Sequence, residues 1–79
     1  MTEITLKHPI TLDGRQYGKL SLRRPRVRDI LAASKTMGGD AEKEATMFAN
    51  LCEVDPNIVN ELDIADYKQL QDIYQSFLS

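Results

Sequence analysis

This chain of 79 residues has no tryptophan, one cysteine and one histidine. A lone Cys52 excludes an internal disulfide framework and fits a reducing compartment. His8 and Cys52 lie far apart, with no CxxC or HxxxH spacing, so the sequence offers no metal-ligand set. No apolar run approaches the roughly 18–20 residues that span a bilayer, and residues 1–5 lack the basic and hydrophobic parts of a signal peptide. A cytoplasmic chain with no membrane partner is the expectation. Gly38-Gly39 has no following Lys-Ser or Lys-Thr and cannot form a phosphate loop. Cys52 has Phe48, Ala49 and Glu53 as helical neighbours, none able to lower a thiol pKa. Asp63 and Asp66 are accounted for by helix capping and the helix dipole. No catalytic, cofactor-binding or metal residues are therefore expected, and the chain does not read as an enzyme.

What is present is charge sorted along the chain. Residues 1–39 hold eight Lys or Arg against Glu3, Asp13 and Asp29, a net of +5. Residues 40–79 hold nine Asp or Glu against Lys43 and Lys68, a net of −7. Opposite patches attract over about 8–10 Å in physiological salt, so this polarity favours one-sided docking or head-to-tail contact. A chain this short buries only about 60–65% of its unfolded surface, which makes self-association or a partner a reasonable expectation.

The fold expected is α+β, one domain over residues 1–79: an N-terminal antiparallel β-hairpin in 1–24, then three to four short α-helices in 25–79. Ile4, Leu6, Ile10 and Leu12 alternate with Thr5, Lys7 and Thr11, the period of a half-buried strand. Asp13-Gly14 is a hairpin turn, and a second strand follows over 15–23. Pairing Leu12 with Arg15 would set Leu20 against Lys7. One extra residue at His8-Pro9 puts Leu6 opposite Leu20 and Ile4 opposite Leu22, with Gly18 as the other bulge candidate. After Pro25 the period turns helical through Val27, Ile30, Leu31, Ser34 and Met37. Asp40 is the expected cap of a second helix, whose inward stripe runs through Ala41, Ala45, Phe48, Ala49 and Cys52, widened by Met47 and Leu51. Asp55-Pro56 opens a short third helix. Asp63 caps a last one over 64–78, with Tyr67, Leu70, Ile73, Tyr74, Phe77 and Leu78 on its apolar face.

Two surfaces follow. Arg15, Lys19, Arg23, Arg24, Arg26 and Arg28 form a basic stretch without an acid between Asp13 and Asp29. A solvated hairpin edge is its first reading, and docking on the acidic helices of another copy the second, through Arg23, Arg24, Arg26 and Arg28. Nucleic acid ranks below both, since stacking aromatics are few and the acidic half repels a polyanion. The second surface is the apolar excess of the later helices. Either it closes the core over the hairpin, or part of it lies at an interface.

The order of features resembles the small tail assembly chaperones of contractile-tailed temperate phages and prophages. The resemblance rests on Pro9-Ile10-Thr11-Leu12-Asp13-Gly14-Arg15-Gln16-Tyr17, Leu20-Ser21-Leu22-Arg23-Arg24-Pro25, Asp29-Ile30-Leu31-Ala32-Ala33 and Leu62-Asp63-Ile64-Ala65-Asp66-Tyr67. It implies a binding protein that holds the tape measure protein soluble until tail tube protein assembles around it, and that is absent from the finished virion. It also implies a homo-oligomer and, in some members, a longer form made by ribosomal frameshift. On this reading Met47, Leu51, Leu70, Tyr74, Phe77 and Leu78 are the partner-binding anchors. The alternative is a small DNA-binding or regulatory module using the basic hairpin.

Overall fold

In the computed structural model, which describes residues 1–78, β1 (Thr2–Leu12) and β2 (Arg15–Leu22) form a two-stranded antiparallel sheet. Asp13 and Gly14 both take positive φ, 53° and 76°, as a type I′ turn requires. Four helices follow: α1 (Val27–Ser34), α2 (Asp40–Cys52), α3 (Pro56–Asn60) and α4 (Ile64–Phe77). α4 packs on β1 and α2 on β2, so one helical layer covers one face of the hairpin. Between the layers lie Ile4, Leu6, Leu20 and Leu22 from the sheet, and Phe48, Leu51, Ile58, Val59 and Leu70 from the helices. Phe48 meets the rings of Tyr67 and Tyr74 edge to face, at centroid distances of 5.4 and 5.9 Å.

The hairpin irregularity falls at the expected place but is larger than expected. Ile4 pairs with Leu20 and Thr2 with Leu22, whereas Ile10 pairs with Tyr17. Residues 6–9 of β1 therefore face Gly18 alone, and three extra residues are absorbed rather than one. The cause lies in α4. The Asp66 carboxylate accepts hydrogen bonds from the backbone N–H groups of Lys7 (2.8 Å) and His8 (3.0 Å), and Gln69 donates to the Thr5 carbonyl at 3.3 Å. Backbone groups that leave the ladder at the bulge thus find partners on the helix above it.

The helix ends follow local chemistry. Asp55 and Asp63 accept from the N–H groups of Asn57 and Ala65, each at 2.8 Å, with Pro56 at the first position of α3. For α2 the cap is Gly39 rather than Asp40. The Glu42 side chain reaches back to the Gly39 N–H at 3.0 Å, leaving Asp40 as the first helical residue. α2 ends at Glu53, a non-glycine in the left-handed region at φ 57°, with the Val54 N–H bonded to the Ala49 carbonyl at 3.0 Å. Glu53→Gly is expected to stabilise the fold by about 0.5–1 kcal/mol by removing that Cβ strain. Urea titration of both proteins measures the gain, and an unchanged or lower midpoint refutes it.

Candidate partner-binding surface

α1 is set with its apolar side outward. Val27, Ile30 and Leu31 are 72%, 54% and 56% exposed, while its buried residues are Asp29 and Ala33. At about 100° per residue the apolar stripe and the buried side lie roughly 130° apart around the helix. The turn is imposed by a carboxylate. Asp29 is 3% exposed, and a buried charge is tolerated only when paired and hydrogen-bonded. The Arg23 guanidinium meets it with two bonds of 2.7 and 2.9 Å, and the Arg26 N–H adds a third at 2.7 Å. Pairing with Arg23, against the opposing effect of burial and with help from the Arg26 N–H, holds the Asp29 carboxyl at about 2. The same bond raises the Arg23 pKa. Because the Arg23 N–H also donates to the Leu51 carbonyl at 3.0 Å, one residue ties the end of β2 to α1 and to α2.

Beside the ridge, between α1, α2 and α4, runs a groove of about 410 Å³. Ile30, Ala33, Met47 and Tyr74 give it apolar walls, with Lys43 and Glu44 at its edge. Glu44 is engaged internally, accepting from the Tyr67 hydroxyl at 2.6 Å and from Gln71 at 3.0 Å. Burial, aided by the Glu44 carboxylate, pushes the Tyr67 hydroxyl well above the usual phenol range. Met37, 90% exposed, follows the C-terminal end of α1.

The residues anticipated as anchors are dispersed by the fold. Leu51 and Leu70 are fully buried and Met47 nearly so, because α2 and α4 close the core over the hairpin; no surface of this conformation includes the two leucines. Met47 contributes only to the groove wall. Tyr74 is a half-buried groove wall, and Phe77 is half-buried under Arg24. Leu78 is 60% exposed. Of the four arginines assigned to self-association, Arg23 is half-buried and already paired with Asp29 of its own chain. The Arg24 guanidinium sits 5.4 Å from the Phe77 ring centroid and donates to the Phe77 carbonyl at 3.2 Å, docking the end of α4. Arg26 uses its backbone N–H on Asp29, and Arg28 is exposed. Among the described residues, the ion pairs Lys19–Glu3, Arg23–Asp29 and Lys68–Asp72 each stay within one half of the chain. The polarity seen in the sequence is therefore not cancelled by bridges across the fold.

Other candidate chemistry is absorbed into structure. Burial pushes the Cys52 thiol up to about 11, opposite to what a nucleophile needs. Among the described residues no group of three His, Cys, Asp or Glu side chains could hold a metal ion, and no helix is long and apolar enough to cross a membrane. The sequence pattern identified the stripe of Val27, Ile30 and Leu31 but not its outward facing. The available signal was Asp29 on the opposite side of the helix, six residues after an arginine.

The sequence matches, over residues 3–79, the family model described as phage tail assembly chaperone proteins, E, or 41 or 14. No curated protein and no solved structure matches the chain.

Proposed function

Since the chain belongs to the phage tail assembly chaperone family, we propose that it binds the tape measure protein in the cytoplasm of the bacterial host and keeps it soluble until the tail tube assembles. It acts by covering apolar surface and makes or breaks no covalent bond. Several copies range along one tape measure chain and leave as tail tube protein arrives, so the finished virion lacks them. Where a longer frameshifted form is made, it shares the same hairpin and helices.

The observation that carries this reading is the outward apolar stripe of α1. Exposing Val27, Ile30 and Leu31 together, beside an apolar groove, costs solvation free energy that a self-sufficient fold would avoid by rotating the helix. An exposed ridge with i, i+3, i+4 spacing is the geometry by which helices dock on one another. The test is co-expression with the tape measure protein of the same phage or prophage. With the chaperone, the tape measure protein is expected in the soluble fraction and on a tag placed on the chaperone; without it, in the pellet. Mass spectrometry of finished particles is expected to find no chaperone. A tape measure protein that is equally soluble alone and never copurifies refutes the proposal.

A further inference from the structure

We infer that the α1 ridge and its groove accept an amphipathic helix whose apolar stripe is bordered by acidic side chains, and that such an acid-bordered stretch is the part of the tape measure protein held. This deepens the function proposed above and rests on it. The apolar part of the argument is the ridge of Val27, Ile30 and Leu31 with the groove beside Ile30, a strip that takes one helix face along its length.

The charge around the strip specifies the partner. Arg28 and Lys35 follow Leu31 around α1, bordering the ridge on the side away from the groove, and both are exposed. Lys43 stands at the groove side and Arg26 at the N-terminal end of the helix. Asp29, the acid of α1, is buried and paired with Arg23. On the groove side the Glu44 carboxylate accepts from the neutral Tyr67 hydroxyl and Gln71 amide, which hold it without cancelling its charge beside Lys43, and Asp40 and Glu42 stand at the start of the same helix. The unopposed basic border is therefore the Arg28 and Lys35 side of the ridge. An apolar strip with a basic border is complemented by an apolar stripe with an acidic border, and it discriminates against a basic one by like-charge contact.

Two other occupants fit less well. A symmetric dimer through α1 would bring Arg26, Arg28 and Lys35 of both copies together, which like-charge repulsion opposes. A flat lipid surface would leave the groove of about 410 Å³ beside Ile30 unfilled, whereas a helix face can enter it.

The test uses two synthetic helical peptides with one apolar stripe, bordered by Glu in one and by Lys in the other, titrated against the full chain by fluorescence anisotropy. The Glu-bordered peptide is expected to bind about tenfold more tightly at low salt, the gap narrowing as salt screens the border contacts. Arg28→Glu/Lys35→Glu, both exposed positions, is expected to reverse the preference without changing the far-UV circular dichroism. Ile30→Asp/Leu31→Asp is expected to abolish binding of both peptides. Equal affinity for the two peptides, or unchanged binding by Ile30→Asp/Leu31→Asp, overturns the inference. So does self-association by sedimentation, or uptake by anionic phospholipid vesicles, that Ile30→Asp/Leu31→Asp abolishes while neither peptide binds. A wild-type chain that holds the tape measure protein yet prefers neither peptide overturns this inference alone. A chain that prefers the acidic peptide yet never holds the tape measure protein overturns the proposed function and the segment assignment with it.

Discussion

Asp66→Ala is expected to lower the thermal midpoint by at least about 15 °C, a loss of about 3–5 kcal/mol for a chain of this size. The residue is fully buried, yet its carboxylate serves as the acceptor for the Lys7 N–H, the His8 N–H and the Gln69 amide, at 2.8, 3.0 and 2.8 Å. Two of those donors belong to the backbone and cannot be redirected, since the bulge has already taken them out of the ladder. Truncation leaves them without a protein acceptor and opens a cavity above the hairpin. Against a total stability of roughly 4–12 kcal/mol, the variant is expected to be largely unfolded at modest urea concentration. Asp66→Asn keeps the shape but offers one acceptor and turns an N–H₂ toward a donor, so an intermediate loss is expected. An alanine variant within about 0.5 kcal/mol of wild type would mean that water replaces the carboxylate at the bulge.

The pH dependence has a definite sign. Burial raises the Asp66 pKa, but the Lys7, His8 and Gln69 bonds outweigh it and the net shift is downward. A carboxyl whose folded pKa lies below its unfolded value stabilises the fold above the unfolded value, and that contribution disappears as pH falls through the folded one. Asp66→Asn should therefore lose less relative to wild type in acid than at neutrality.

Asp66 also marks where the sequence stops being legible. The alternation of Ile4, Leu6, Ile10 and Leu12, the Asp13-Gly14 turn and the caps Asp55 and Asp63 are local signals, and they yield the hairpin and the helix starts. The size of the bulge is not local: its acceptor stands 59 residues along the chain from Lys7, in a helix whose own first turn gives the aspartate a sufficient reason to be there. The facing of α1 escapes the sequence for a related cause. Periodicity gives the apolar side of a helix but not the direction it faces, and α1 faces outward because the Arg23–Asp29 pair fixes its other side. The apolar width of α2, by contrast, is consumed by the hairpin below and α3 and α1 beside, and α4 spends Leu70 on the core over β1.

Arg23→Ala is expected to cost about 3–5 kcal/mol, more than Asp29→Ala, and the asymmetry follows from exposure. Removing Arg23 leaves Asp29 ionised with its side chain 4% accessible, whereas removing Asp29 leaves a guanidinium 23% accessible that water and nearby Glu53 can partly solvate. Sign and window come from the Asp29 value. Its carboxyl sits at about 2 instead of 3.8, so pairing contributes about 2 kcal/mol above pH ~4, and this is lost as pH falls from about 4 toward 2. Urea midpoints across that range should fall for wild type and stay flatter for Asp29→Asn. A second readout separates a latch from a generic stabiliser. α1 buries little besides Asp29 and Ala33, so unlatching it should speed tryptic cleavage after Arg26 and Arg28 before the rest of the chain opens; Pro25 protects the bond after Arg24. If Arg23→Ala destabilises the chain but trypsin cuts it uniformly, the pair holds the core together rather than presenting α1, and the outward ridge needs another explanation. If cleavage concentrates after Arg26 and Arg28, the same two side chains that bury one charge also keep Val27, Ile30 and Leu31 facing outward.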